Sequence, residues 1–139
     1  MRGRVKTFYL AMPSHRRSAA RARAAELQAL GLSWHNDHDW TDDVFWKPDR
    51  SPEFLGAVAE DDIAAACDCN LFVACLDLED EQGCRTSRGL HMEIGARLAD
   101  CEEVHLVGTP PPHTFFHHPG VHQHETWAAF MAWLRRVKR

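Results

Sequence analysis

The chain has 139 residues, 45% of them hydrophobic, which is enough for the core of one domain of ordinary size. Its 16 Lys and Arg are outnumbered by 20 Asp and Glu, which gives a formal net charge of −4. Duplex nucleic acid is normally bound by a concentrated basic face, so this balance argues against a DNA-binding role. The longest stretch without Asp, Glu, Lys or Arg, residues 104–124, is interrupted by prolines and histidines, so we expect no membrane span.

The N-terminus and the cysteines predict a cytoplasmic protein. The first apolar run stops at Pro13 and is followed at once by Arg16 and Arg17, which is too short for the apolar region of a secretory signal. The five cysteines are an odd number, which suits reduced thiols better than a disulfide framework.

Short apolar runs alternate with helix-forming segments along the chain. We expect strands over residues 5–11, 32–34, 70–76 and 104–107, and helices over residues 14–30, 53–68, 87–100 and 125–137. The run NLFVACL at residues 70–76 is apolar almost throughout, which predicts a central parallel strand buried on both faces. Gly31 stands where the first helix should end. The last helix carries an apolar stripe at helical spacing: Trp127, Phe130, Met131 and Leu134.

This alternation predicts one α/β domain over residues 1–139. We expect a doubly wound sheet of the flavodoxin or Rossmann type, mainly parallel, with about four or five strands between flanking helices. In such sheets ligands bind beyond the carboxyl ends of the strands. The segments that should hold the site are therefore residues 9–17, 34–46, 77–93 and 108–124.

Three features of these segments together resemble one enzyme family. Tyr9 lies in the first strand, Asp62 precedes the central strand, and the motif SRGLHMEIG spans residues 87–95. The arrangement resembles the nucleoside 2-deoxyribosyltransferase superfamily, which includes the 2′-deoxynucleoside 5′-monophosphate N-glycosidases. In that family an Asp heads a helix leading into the central strand, and the pattern S/D-x-G-x-x-x-E-x-G follows the strand.

The resemblance implies a catalytic role for Glu93, Asp62 and Tyr9. Glu93 would be the nucleophile that attacks C1′ of the deoxyribose and forms a glycosyl-enzyme intermediate. Asp62 would protonate the departing base or hold the acid that does so. The Tyr9 hydroxyl would donate to Glu93, and we expect that carboxylate to stay ionised near the N-terminal turn of its helix.

Ser87 bears on the choice of substrate. The hydrolases of this superfamily that act on 5′-monophosphates resemble the chain in having Ser there, whereas the transferases acting on free nucleosides usually carry Asp. A hydroxyl beside helix N–H groups, with Gly89 allowing close backbone approach, favours an anion. The further substrate-binding candidates are Arg88, Met12, Pro13, Ser14, Arg16, Trp34 and Asn36. The chain departs from the family at Asn70, where relatives commonly carry an Asp that we expect to be structural.

Plainer interpretations stand beside these roles. Ser87 could be only a helix cap, and Tyr9 only a core aromatic. Asp62 follows Glu60 and Asp61, and a run of three acids on a helix is usually a solvated face. Trp34, Trp40 and Trp46 could form a stacking wall for the base or could pin the long loop to the body of the protein.

A His-rich segment invites a metal interpretation but does not support one. The spacings of its histidines fit no standard site, so we expect no metal there: His113, His117, His118, His122 and His124. The chemistry implied by the resemblance needs no organic cofactor either. Because family members are typically dimers whose partner chain completes the pocket, a dimer-contacting or site-closing loop is the favoured interpretation.

The leading hypothesis is hydrolysis of 2′-deoxynucleoside 5′-monophosphates to a base and deoxyribose 5-phosphate. The expected partners are a small-molecule nucleotide or nucleoside and further copies of the same chain. The alternatives are transfer of deoxyribose between bases, a nucleotide-binding or sensing domain without turnover, and cleavage of a dinucleotide such as NAD. Nothing resembles the GxGxxG loop of a redox Rossmann domain, which argues against hydride transfer.

Overall fold

A parallel sheet forms the middle layer of the computed structural model, which describes residues 6–13, 16–35, 51–79, 88–112 and 114–138, with Arg88 described by its backbone alone. Its five strands are β1 (Thr7–Ala11), β2 (Ser33–Trp34), β3 (Leu71–Cys75), β4 (Val104–Val107) and β5 (Val121–His124). They stand in the order β2-β1-β3-β4-β5, and each pairs with its neighbours in parallel. The winding reverses between β1 and β3, so the predicted doubly wound α/β fold is confirmed.

Four helices flank the sheet in the described part of the chain. They are α1 (Arg17–Ala29), α2 (Pro52–Asp68), α3 (Arg88–Ala99) and α4 (Trp127–Val137). Gly31 ends α1 as predicted, with φ +86° and its N–H donating to the carbonyl of Gln28 at 2.9 Å. No helix within the described ranges is both long and apolar enough to span a membrane.

The alternation of side chains along the strands divides the core into two layers. Phe8 and Leu10 of β1 face the layer formed by α1 and α4, in which the predicted stripe residues Phe130, Met131 and Leu134 are buried. Tyr9 and its neighbours on the other face pack against α2 and α3. The strand β3 is buried along its whole length, which confirms its predicted central place.

Asn70 fixes the start of β1 against β3. Its Oδ1 accepts hydrogen bonds from the backbone N–H groups of Lys6 and Thr7, both at 3.0 Å, and from the Thr7 hydroxyl at 3.2 Å. Its own N–H donates to Thr7 Oγ1 at 3.1 Å. These bonds set the register that places Tyr9 opposite Phe72. A carbonyl oxygen suffices for all three acceptor contacts, which agrees with the expected structural role of this position.

The strand β5 is absent from the predicted elements. The segment that contains it was expected to be a loop, and that prediction is wrong for Val121–His124, which pairs with β4. The strand was missed because it is an edge strand with a single aliphatic residue, Val121, and two histidines, His122 and His124, so its sequence lacks apolar alternation.

The histidines of β4 and β5 pack as a stacked cluster beneath α4. His105 is 2% exposed, its Nδ1 lies 3.1 Å from His124 Nε2, and its ring centroid lies 5.1 Å from that of His122 and 4.4 Å from that of Trp133. Burial, with the neighbouring imidazoles, lowers the pKa of His105 to about 3. The described residues include no group of three or more His, Cys, Asp or Glu arranged to hold a metal. The ring contacts of His105 with His122, His124 and Trp133 make the cluster part of the packing between β4, β5 and α4.

The buried imidazole of His105 makes folding stability depend on pH. Since its pKa is about 3 in the folded protein and about 6.5 when unfolded, stability is retained above pH 6.5 and lost as the pH falls towards 3. The expected loss is about 1.4 kcal/mol per pH unit in this window. We expect His105→Phe to flatten the slope of the free energy of unfolding between pH 6.5 and 4, measured by urea titration.

His117, an exposed histidine, supplies the control for this experiment. The variant His117→Gln should keep the wild-type slope. An unchanged slope in His105→Phe would contradict the role given to the cluster.

Candidate active site

Glu93 and Tyr9 meet on the face of the sheet covered by α2 and α3. Glu93 lies in the second turn of α3, whose residues Leu90 and Ile94 anchor the helix in the core. The Tyr9 side chain is 2% exposed, stacks on Phe72 at 5.2 Å between ring centroids, and is hydrogen-bonded to the Glu93 carboxyl group. The predicted contact between these two residues is therefore present, and Tyr9 is at once a core aromatic and a partner of Glu93.

Asp62 brings a second carboxyl group to Glu93 from α2. The neighbouring acids Glu60 and Asp61 are exposed, as a solvated face requires, but Asp62 is half-buried and its Oδ1 is shielded from solvent. It lies well inside α2 rather than at its head, where the resemblance implied an Asp. The structure thus shows that Asp62 is the inward-facing acid of the three, which the sequence alone could not decide.

Burial beside a second carboxyl group perturbs the pKa of Glu93. Burial and the charge of Asp62 raise the pKa of Glu93 to about 8, although the hydrogen bond from Tyr9 lowers it. The expectation that Glu93 stays ionised is therefore wrong. The field of a helix N-terminus fades within the first turn, and Glu93 lies beyond it, so burial beside a second acid decides the outcome.

With its pKa raised to about 8, Glu93 holds a proton at neutral pH. One carboxyl group of the pair can donate a proton while the other carries a negative charge, which is the division of roles required at a glycosidic bond. The site can therefore combine a nucleophile and a general acid without any other group.

Several predicted substrate-binding residues lie near the carboxyl ends of β1 and β3. Met12 and Pro13 directly follow β1 and are half-buried, and the Pro13 carbonyl accepts from the N–H of Arg16 at 2.9 Å. The exposed Arg16 donates from Nε to the carbonyl of Glu79, after β3, at 2.8 Å. Gly89 is exposed in the first turn of α3. Ser14, Asn36 and Ser87 lie outside the described residues, as does the side chain of Arg88.

Trp34 lies on the opposite face of the sheet from Glu93. It stacks on Phe8 at 6.2 Å and packs against the core layer of α1 and α4. The structure does not bring it together with the carboxyl pair. Its position favours the interpretation in which it pins its segment to the body of the protein, and Trp40 and Trp46 lie outside the described residues.

The sequence analysis did not single out two arginines that make several contacts in the structure, Arg23 and Arg97. Arg23 of α1 binds Asp77 through two hydrogen bonds of 2.8 and 2.5 Å and lies 4.7 Å from the ring centroid of Trp127. Arg97 of α3 is 1% exposed. A signal for Arg97 existed, because it continues the buried stripe of Leu90 and Ile94 at helical spacing, where a charged residue needs buried partners.

The fold is shared with two solved enzymes. One is the CMP N-glycosidase BcmB of Clostridium botulinum, with a TM-score of 0.58, 18% identity, and coverage of 94% of this chain and 99% of that one. The other is a 2-deoxyribosyltransferase of Bacillus psychrosaccharolyticus, with a TM-score of 0.62, 18% identity and coverage of 90% of both chains. The resemblance seen in the sequence is confirmed at the level of the fold. Models of protein families and curated proteins give no match.

The raised pKa of Glu93 predicts a cost in stability. Below pH 4.5 the residue is protonated both folded and unfolded, but between pH 4.5 and 8 only the folded state keeps the proton, so stability falls as the pH rises through this window. We expect Glu93→Gln to raise the free energy of unfolding at pH 8 by about 2 to 4 kcal/mol and to have little effect at pH 4.5. Urea unfolding at the two pH values measures this difference.

The exposed residue Glu60 provides the matched control, since Glu60→Gln should leave stability unchanged at both pH values. Equal stability of wild type and Glu93→Gln at pH 8 would show that Glu93 is not held protonated.

Proposed function

We propose that the protein hydrolyses the N-glycosidic bond of 2′-deoxynucleoside 5′-monophosphates, releasing the base and deoxyribose 5-phosphate. The observation that carries the proposal is the pairing of Glu93 with Asp62, which keeps one proton between a nucleophile and an acid. The hydrogen bond from Tyr9 orients the Glu93 carboxyl group for attack. No step requires a metal or an organic cofactor.

The first step forms a covalent intermediate. A Glu93 oxygen attacks C1′ as the bond from C1′ to the base breaks, and the departing base takes the proton held by Asp62. Positive charge that develops on the sugar stabilises an ionised Glu93, so substrate binding shifts the shared proton towards Asp62. Burial raises the proton affinity of the Glu93 carboxyl group, and the proton held there becomes the one that Asp62 donates to the base.

The second step restores the pair. Water attacks C1′ of the glycosyl ester, its hydroxyl becomes the new substituent on C1′, and its remaining proton passes to Asp62. Glu93 leaves as a carboxylate, and the pair again holds one proton. If a second base occupies the place of this water, the same intermediate yields transfer of deoxyribose rather than hydrolysis.

The solved neighbours and the sequence support different parts of the proposal. The solved neighbours are named as a CMP N-glycosidase and a 2-deoxyribosyltransferase, and both names concern the bond between a sugar and a base. The preference for a 5′-monophosphate rests on the sequence, chiefly on Ser87 six residues before Glu93, and the preference for deoxyribose rests on the resemblance to the family. Base exchange is therefore the closest alternative, followed by cleavage of NAD and by nucleotide binding without turnover.

The proposal predicts base release that depends on both carboxyl groups. Purified protein incubated with 2′-deoxynucleoside 5′-monophosphates should release free base, and chromatography measures this release. We expect Glu93→Gln to lose at least about a thousandfold of the activity and Asp62→Asn about a hundredfold or more, because each removes one partner of the reaction. Asp61→Asn, which changes an exposed acid of the same helix, should retain full activity.

The substrate panel separates the alternatives. It includes free nucleosides, ribonucleoside monophosphates and NAD, each with and without an added acceptor base. Products that appear only with the added base would establish a transferase. Binding of the monophosphates without any product would overturn the enzymatic proposal in favour of a binding domain.

We also propose that the protein works as a homo-oligomer in the cytoplasm. The resemblance implies a dimer, and apolar side chains are exposed on the two helices that carry the carboxyl pair: Phe54, Leu55 and Met92. A second copy that presents the same patch would cover them, as in a contact with twofold symmetry.

Light scattering at micromolar concentration tests this association. We expect a dimer or larger assembly for wild type and a shift to monomer for Leu55→Glu, because a buried charge would disfavour the contact. The outer-face variant Arg21→Glu should leave the assembly unchanged. A wild-type monomer at every concentration would contradict the proposal.

A further inference from the structure

Arg97 is the most deeply buried charged side chain in the described part of the chain, and the proposed reaction does not use it. Its Nη1 donates to the carbonyls of Ala66 and Cys69, both at 2.9 Å, and its Nη2 donates to the carbonyl of Asn70 at 3.3 Å. Its Nε donates to the carbonyl of Glu103 at 2.6 Å. One guanidinium group therefore joins α3, the end of α2 and the approaches to β3 and β4.

The hydrogen bonds to α2 meet a need of that helix. The last carbonyls of a helix have no partner within the helix, and those at the end of α2 lie in the core, where an unsatisfied carbonyl is costly. The planar, permanently charged guanidinium supplies several donors in fixed directions, which a lysine could not. Glu102 Oε2 lies 3.9 Å from Nη2 and partly balances the charge.

The spacing of these residues places Arg97 beside the carboxyl pair. Arg97 follows Glu93 by four residues on α3, and Ala66 follows Asp62 by four residues on α2. Residues four apart lie on the same face of a helix, about 6 Å apart along its axis. The contact between Arg97 and Ala66 is thus one turn away from the meeting of Glu93 with Asp62, on the same two helices.

A second contact connects Arg97 to Tyr9. The guanidinium carbon lies 5.9 Å from the ring centroid of Phe72, and the ring of Tyr9 is stacked on Phe72 at 5.2 Å between centroids. All three elements that supply the site, β1, α2 and α3, are therefore positioned by groups that contact Arg97 directly or through one ring.

We propose that Arg97 is a positioning residue that sets the separation of Glu93 and Asp62 by tying α3 to the end of α2. This inference rests on the proposed function for its effect on turnover, but its effect on the carboxyl pair is independent of any substrate. Without the guanidinium the two helices separate at this turn. Glu93 then becomes more hydrated and more distant from the charge of Asp62.

Titration of Glu93 tests the proposal directly. In protein labelled with ¹³C at the Glu carboxyl carbons, the Glu93 signal is assigned by its absence in Glu93→Gln, and its pKa is measured in wild type and in Arg97→Met. We expect the pKa of Glu93 to fall by at least about one unit, a tenfold change in proton affinity, because both burial and repulsion by Asp62 weaken. The variant should also lose about a hundredfold in kcat, with a smaller change in KM.

Two further variants keep the test decisive. Arg97→Lys retains the charge with fewer donors and should show a smaller fall in pKa and in kcat, and it decides the question if Arg97→Met does not fold. Arg23→Met removes a guanidinium from the opposite face of the sheet and should leave the pKa of Glu93 unchanged. A folded Arg97 variant with the wild-type pKa of Glu93 overturns the proposal.

The two proposals fail in distinguishable ways. If wild type releases no base from any substrate, the proposed function fails while the titration still reports on Arg97. If wild type is active and the folded Arg97 variants keep both the wild-type kcat and the wild-type titration, only the positioning role fails.

Discussion

The burial of two carboxyl groups against each other is the constraint on which the site depends. Glu93 and Asp62 come from different helices, and burial together with the charge of Asp62 raises the pKa of Glu93 to about 8, since like charges repel strongly away from bulk water. A proton held on Glu93 relieves this repulsion, and under the proposed function it equips the pair for acid and nucleophilic roles. The stability lost by holding a titratable group in this state is the kind of cost that active sites commonly carry.

The fold places this site on one of the two buried layers that flank the sheet. On one face of the sheet, α1 and α4 cover an apolar layer that also contains the stacked histidines and the contact between Arg23 and Asp77. On the other face, α2 and α3 bring the two carboxyl groups together, and Glu93 is hydrogen-bonded to Tyr9. Adjacent residues of a strand point to opposite faces of the sheet. Phe8 therefore packs in the layer of α1 and α4, whereas its neighbour Tyr9 lies in the layer that contains the carboxyl pair.

Much of this arrangement could be predicted from the sequence, for identifiable reasons. The alternation of apolar runs and helices predicted the fold, and the family resemblance, with Tyr9 placed on the first strand, predicted the contact between Tyr9 and Glu93. Local patterns could not show that Asp62 alone faces inward among three acids, because that depends on how α2 packs. Local patterns also could not show β5, because its histidines lack an apolar signature. The face of the sheet on which Trp34 lies could not be predicted either, because it follows from the pairing between β1 and β2.

The pH dependence of kcat/KM for base release in wild type and in Asp62→Asn tests the shared proton most directly. If the proton held by the pair is delivered to the departing base, kcat/KM in wild type falls as the pH rises above about 8, where the pair loses it. In Asp62→Asn the residual activity should lack this fall, because Glu93 then titrates alone. A wild-type kcat/KM that instead rises through pH 8 to a plateau would contradict the account, since it would mean that the retained proton must be lost before the reaction can proceed.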